Sequence, residues 1–320
     1  MKEIHKILED VNVPSLLAKE RAQLSSHPGY TVSFRRFFLS DRKQMDEFPK
    51  MEGPVSFIVQ PPLDGNTIAE WLFLTADTGI ELIWTAGAVS AHGSSEEQTR
   101  DILEKYGSDL EAHGLNMADN CIRTWFFVHD IDNNYAGLVK ARREDFALRG
   151  LRPDTHFLAS TGICGTPVVE GATVQMDALA VRGDFDQHYL YARTHMNPTY
   201  EYGVTFERGV CVDFEGSRHT LISGTASIDD KGEIVHPGDI AAQTLRMWDN
   251  VSALLQEAGA GWRDVVMMLV YLRNADDYAT VAPLFAGRFH AIPYVVTLAP
   301  VCRPGWLIEM ECVAVHPICG

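Results

Sequence analysis

From Asp239 onward, apolar positions recur with helical period. Ile240, Leu245, Trp248, Val251, Leu255 and Ala258 fall three to five residues apart, on one face of a helix. Asp239 is a favourable N-cap and Gly259 a favourable residue just past the end, so the pattern predicts a helix between them. The run "DVVMMLVYL" (264–272) is apolar almost throughout and β-rich, which predicts a buried strand. A second helix is predicted over roughly Asp277 to Phe289, followed by an extended piece at "YVVTL" (294–298) and a closing strand in "VCRPGWLIEMECVAV" (301–315). An extended, glycine-marked segment, "SGTASI" (223–228), precedes the whole set.

The same order occurs earlier in the chain. "WTAGAVSAHG" (84–93) precedes a helix opened by the capping box Ser94-x-x-Glu97, carrying Ile102, Leu103, Tyr106 and Leu110 and ending at Gly114. The run "CIRTWFFVHD" (121–130) predicts the next strand, Asn133 to Leu148 the next helix, and "ATVQMDALAV" (172–181) the closing strand. Gln98 and Gln243, Gly114 and Gly259, and Asp119 and Asp264 are related by one constant shift of 145 positions. "MDALAV" (176–181) matches "MECVAV" (310–315). These matches predict a duplicated α+β unit. The expected division is an N-terminal extension (1–53), a first lobe (54–182) and a second lobe (203–316), each lobe a mixed sheet with two helices on one face.

Composition narrows the function classes. The 320 residues are 46% apolar and 22% charged, ordinary values for a packed globular protein. The formal net charge of −16 disfavours a phosphate backbone as partner, so no nucleic acid is expected. The longest apolar run, Val265 to Leu272, falls far short of the ~20 residues that span a bilayer, and no membrane partner is expected. The opening "MKEIHKILEDVNVPSLLAKE" lacks a continuous apolar targeting core. Cys121, Cys164, Cys211, Cys302, Cys312 and Cys319 form no CxxC pair, which points to reduced thiols, a cytoplasmic location and no metal site. The glycine-rich "STGICG" (160–165) follows no phosphate-loop pattern and reads as a loop.

The closing strand raises a chemical question. Side chains alternate along a strand, so Glu309 and Glu311 share a face, with Cα atoms about 6.5–7 Å apart. Ile308, Met310, Cys312 and Ala314 take the other face, against helices. A carboxylate-bearing face is either solvated or lines a cleft. Glu311 fits an exposed sheet position as readily as a binding one. The earlier copy replaces Glu309 by Gln175 and Glu311 by Asp177, so it is expected to serve as scaffold and complete a pocket wall.

The second lobe resembles the Rid family (reactive intermediate deaminases, also called L-PSP endoribonuclease-like proteins) in "SGTAS", "GDIAAQTLRMWDNVSALLQEAG", "DVVMMLVYLRNADDYATV" and "IEMECVAV". The whole chain resembles the two-lobed chorismatase branch in "YGVTFERG" (202–209), "SGTASI" (223–228), "HPGD" (236–239) and "CRPGWLIEME" (302–311). That resemblance implies two tandem lobes of chorismate-mutase-like fold and no cofactor. It also implies a trimer-like arrangement of lobes, or a homo-oligomer in which a neighbour completes the site. Glu309 takes the position of the catalytic acid. Arg208 and Arg303 become carboxylate ligands, and Tyr202, Phe206, Ser223, Gly224, Thr225, Ala226, Cys302 and Glu311 become candidate substrate-binding residues. Departures exist. Phe206 stands where single-lobed deaminases carry tyrosine, their arginine aligns with Cys302 rather than Arg303, and "FERG" replaces the "FSRA" usual in chorismatases.

Both family chemistries act on acrylates bearing an electron-donating heteroatom: an enolpyruvyl ether in chorismate, an enamine in 2-aminoacrylate. Each needs a carboxylate clamp, which the planar arginine fork supplies, and an acid that protonates the terminal CH2 carbon. A free glutamic acid ionises near 4.3, so Glu309 would need burial beside Trp306, Leu307 and Cys302 to stay protonated. The expected function is a chorismatase-like hydrolase acting on a small carboxylic acid and releasing pyruvate. The alternatives are a Rid-type enamine/imine deaminase releasing ammonia and a non-catalytic ligand-binding protein. Cys302, next to Arg303, is a further nucleophile candidate, though no histidine partner is evident.

Overall fold

A computed structural model describes residues 2–76 and 79–318; Cys319 lies outside the described residues. The first elements are β1 (Glu3–Asp10), α1 (Val13–Ser26), β2 (Thr31–Leu39), β3 (Val55–Val59) and β4 (Ile68–Thr75). Next come β5 (Glu81–Val89), α2 (Ser95–Ala112), α3 (Met117–Asn120), β6 (Cys121–Val128), α4 (Ile131–Leu148), β7 (Ala159–Cys164), β8 (Thr166–Pro167) and β9 (Val174–Arg182). The last group is β10 (Asp186–Leu190), β11 (Gly209–Phe214), β12 (Ser217–Ala226), α5 (Ile240–Glu257), β13 (Val265–Leu272), α6 (Tyr278–Arg288), β14 (Tyr294–Leu298) and β15 (Ile308–Pro317).

The two tandem lobes are present. One sheet runs β5-β9-β6-β7 and another β10-β11-β12-β15-β13-β14. In both, the closing strand (β9, β15) lies between the strand before the first long helix (β5, β12) and the strand before the second (β6, β13), antiparallel to each, and the next strand (β7, β14) joins the latter in parallel. The internal repeat also operates at the level of single side chains. Gln98 accepts from Thr173 N at 2.8 Å and donates to Gly171 O at 3.0 Å. Gln243 accepts from Leu307 N and donates to Gly305 O, both at 2.9 Å. Each glutamine ties the start of its helix to the entry of its closing strand. Asp239 caps α5 by accepting from Ala242 N, and Ser94 and Glu97 form the expected capping box.

The N-terminal stretch, expected as an extension ending at residue 53, builds strands of the same order, β1-β4-β2-β3, to which β8 adds at the edge. β1 and β2 each pair antiparallel with β4, and β2 pairs in parallel with β3. β3 and β4 therefore complete this sheet rather than opening the next one, and the division at 53/54 does not coincide with a sheet boundary. Here the second helix is reduced to a short 3-10 helix, Arg42–Glu47. The three units meet in a cycle. Ile58 pairs with Pro167 of the middle unit, Ile163 of the middle unit with Val301 of the last, and Thr297 of the last with Pro62 of the first. Ile58, Ile163 and Thr297 occupy one position of the repeat, opposite Phe38, Phe127 and Tyr271. One chain thus surrounds a pseudo-threefold axis.

The sheet faces that meet at this axis are buried. Trp71, Trp84 and Trp125 have ring centroids within 5.8–6.2 Å of each other. Arg36 lies over Trp125 at 4.7 Å and pairs with Asp177 at 2.8 Å, both fully buried. Helices cover the outer faces. Among the described residues, no helix is long and apolar enough to cross a membrane.

Candidate active site

The middle and last units leave a cavity of about 410 Å3 between them, within the range of small-molecule sites. The last unit contributes Tyr202, Phe206, Arg208, Gly224, Ala226, Cys302, Arg303, Trp306 and Glu309. The middle unit contributes Tyr135 and Arg142 from α4 and Ser160, Thr161 and Gly162 from β7. Both walls come from one chain.

Glu309 sits on β15, opposite Ala226 of β12 and Tyr271 of β13. It is 5% exposed and, among the described residues, no protein group hydrogen-bonds its carboxyl. Burial, reinforced by the neighbouring Glu311 charge, pushes its carboxyl up to about 8 against the pull of Arg208 and Arg123. It is therefore mostly uncharged at neutral pH. β12 is irregular between Ile222 and Thr225, and Gly224 lies in that break. A Cβ on Gly224 would stand 2.8 Å from Glu309 Cδ and 3.0 Å from Thr161 Cγ2. The glycine makes room for the carboxyl itself.

Three guanidinium groups line the same cavity. Arg208 is buried, donates from Nη2 to Asn197 O at 3.0 Å and, among the described residues, leaves Nε without a hydrogen-bond partner. Arg303 donates to Gly232 O at 3.1 Å and lies over Tyr202 and Trp306 at 4.5 and 4.7 Å. The Tyr202 ring is also 5.5 Å from Arg208, so both cations lie against the same ring. Arg142 is 1% exposed; its Nη1 is 3.4 Å from Ser160 Oγ, while among the described residues Nε and Nη2 meet no acceptor in hydrogen-bonding geometry. Buried, incompletely paired guanidinium is costly, and an anionic ligand relieves that cost. Trp306 closes one end, its Nε1 bonded to Ser227 O at 3.0 Å.

Several sequence expectations are corrected. Glu311 is neither exposed nor in the pocket. It is 3% exposed in the seam between units and accepts from Tyr271 Oη and Thr161 Oγ1 at 2.6 Å, from Trp125 Nε1 and from Arg123. Its job is to neutralise Arg123, as Asp177 neutralises Arg36 one unit earlier. Ser223 and Thr225 are fully buried outside the cavity. Ser223 Oγ donates to Glu207 O at 2.6 Å and accepts from Ser160 N at 3.0 Å, and Thr225 Oγ1 donates to Ser223 O at 2.9 Å. Cys302 lines the cavity, but burial beside Glu309 pushes its thiol up to about 12, and no histidine lines the pocket, which removes the basis for a nucleophile. The segment "STGICG" is not a loop; it forms β7, paired in parallel with β6.

Arg142 and Tyr135 were absent from the sequence reading. A signal for them existed. Ile131, Tyr135, Leu138 and Arg142 recur at spacings of four, three and four, which puts an arginine on the buried stripe of α4. Gln175, at the repeat position of Glu309, donates to Ser56 Oγ and Phe57 O and ties the middle unit to the first.

Comparisons with known proteins agree with this geometry. The family described as "Endoribonuclease L-PSP" matches residues 214–316. A RutC family protein of Pyrococcus abyssi is 38% identical over 97 residues, 29% of this chain and 76% of that protein. The 3-aminoacrylate deaminase RutC of Acinetobacter baylyi is 32% identical over 96 residues, 29% of this chain and 75% of that protein. A chorismatase crystal structure superposes with a TM-score of 0.73 at 19% identity, covering 98% of both chains, which establishes a common fold. With the last unit related in sequence to RutC proteins and the whole chain folded like a chorismatase, the protein belongs to the Rid superfamily and has its two-lobed, chorismatase-like architecture.

Proposed function

We propose that the protein is a chorismatase-like hydrolase that cleaves an enolpyruvyl ether of a small carboxylic acid, chorismate or a close relative, and releases pyruvate. The observation that carries this reading is Glu309: a dry, uncharged carboxylic acid at the floor of a pocket that holds three arginines. Arg208 and Arg303 bind one carboxylate from the last unit, and Arg142 binds a second from the middle unit. A substrate with two carboxylates uses this arrangement fully. Glu309 donates its proton to the CH2 terminus of the enol ether, which leaves an oxocarbenium ion at the ether-bearing carbon. Water adds there and returns a proton to Glu309. The resulting hemiketal collapses to pyruvate and the ring alcohol, so the net change is addition of one water. The arriving carboxylates offset the cations that would otherwise draw the proton off Glu309.

The second reading is a Rid-type enamine/imine deaminase, favoured by the similarity of the last unit to a 3-aminoacrylate deaminase. The same acid and arginines suit it, but a single small carboxylate leaves Arg142 without a partner. The test is to incubate the protein with chorismate and, separately, with 2-aminoacrylate. Pyruvate and a ring acid from chorismate, without acceleration of ammonia release from 2-aminoacrylate, support the hydrolase. The reverse supports the deaminase. Binding of 3-hydroxybenzoate without turnover of either substrate supports the non-catalytic alternative.

A further inference from the structure

Arg208 has a second side. Opposite the main pocket it borders a small cavity of about 60 Å3 lined also by Phe157, Tyr191, Arg193, Tyr200 and Glu207. Glu207 is the residue that replaces the serine of the "FSRA" pattern. It is 9% exposed and fixed across the seam between units. Its N–H donates to Leu158 O at 2.9 Å, its carbonyl accepts from Ser223 Oγ at 2.6 Å, and its Oε1 accepts from Phe157 N at 2.8 Å. Among the described residues the Glu207 carboxyl is held by the Phe157 N–H and forms no ion pair with Arg208 or Arg193. Its carboxyl therefore acts on Arg208 through the field across the seam rather than by occupying the guanidinium.

We propose that Glu207, which lies outside the main pocket, is a positioning residue whose negative charge limits the affinity of Arg208 for the substrate carboxylate. The proposal rests on the reading that Arg208 receives that carboxylate. A second anion behind the arginine repels the incoming one, and because Glu207 is only 9% exposed the repulsion is screened less than between surface charges. Burial also pushes the Glu207 carboxyl up to about 7, against the Phe157 N–H and the charges of Arg208 and Arg193. The brake is therefore released below neutrality and engaged above it. The other titratable groups facing Glu207 are Tyr191 and Tyr189, with His156 stacked on Tyr189 at 4.6 Å. The tyrosines stay uncharged over this range, because burial pushes both up from their ordinary value.

The test measures 3-hydroxybenzoate binding by calorimetry near pH 6 and near pH 8, in a Glu309→Gln background so that Glu309 neither turns over nor titrates. The expected result is affinity weaker by about three- to tenfold at the higher pH. Adding Glu207→Gln should abolish that difference and restore the tight value at both pH values. Equal affinities with and without Glu207→Gln overturn the proposal. So does a pH-independent affinity in the Glu309→Gln protein alone, which decides the matter even if the double variant fails to fold. Absence of any 3-hydroxybenzoate binding overturns the substrate reading as well, and binding that ignores Glu207 leaves that reading intact.

Discussion

Replacing Glu309 by glutamine should make the protein inactive and more stable at once. The carboxyl ionises near 4.5 when free and only near 8 in the pocket. Close to pH 7, burial therefore raises the protonated fraction from well under 1% to about 90%, which is what general-acid catalysis requires. The same shift works against folding. The unfolded chain releases this proton above pH 4.5 and the folded chain retains it to about 8. Between those limits each pH unit costs the folded state about 1.4 kcal/mol, or roughly 3 kcal/mol at pH 7. Glutamine keeps the shape, cannot ionise and removes that cost. Glu309→Gln should lower pyruvate release from chorismate by about 10^2- to 10^4-fold. Its melting temperature should rise by several degrees at pH 7–8 and stay unchanged near pH 4, where both states of the unsubstituted protein hold the proton. Pyruvate is followed with lactate dehydrogenase and NADH, and melting by calorimetry across pH. In the unsubstituted protein, turnover should fall above about pH 8 as the acid is lost. Retained turnover in the variant, or a variant less stable than its parent at pH 7–8, would refute the reasoning.

Other substitutions probe separate parts of the site. Arg142→Ala should raise KM for a dicarboxylate at least tenfold while 3-hydroxybenzoate affinity falls less, since only one clamp is removed; matched losses would place both ligands on Arg142. Gly224→Ala forces the Glu309 carboxyl aside and should abolish turnover with the fold intact by circular dichroism; normal activity would show that the acid does not need its present position. Asp177→Ala leaves Arg36 buried without a counter-charge and should cost about 3–5 kcal/mol in denaturant unfolding, with a loss under 1 kcal/mol counting against the pair's role in joining units.

How much of this was legible in sequence depended on whether the information was local. The helices α2 and α5, their caps and the strands after them follow from periodicity and end signals within single segments. The repeat was visible because Gln98 and Gln243 tie equivalent helices to equivalent strands, so both copies retained them. The first unit was missed. β1 reads "EIHKILED", with charges at Glu3, Lys6, Glu9 and Asp10 that break any alternation, and the unit's second helix has shrunk to Arg42–Glu47, so neither a long apolar run nor a helix pair marks it. Glu309 and Glu311 show the limit most sharply. Strand alternation puts both on one face, yet Glu309 meets the cavity and Glu311 meets Arg123, and nothing within the strand distinguishes them.

The sequence by itself determined the duplicated α+β units and their caps, because these depend on spacing of a few residues, while Glu309, Arg208 and Arg303 were marked as candidates only by the family resemblance of their segments. Only the tertiary structure decided that a third unit closes the ring and that Arg142 enters the pocket from the neighbouring unit. It also decided that Glu311, Ser223 and Thr225 belong to the seam. The physical reason is that burial and charge pairing are set where separate units meet, and there the protonation of Glu309 depends on groups more than a hundred positions away along the chain.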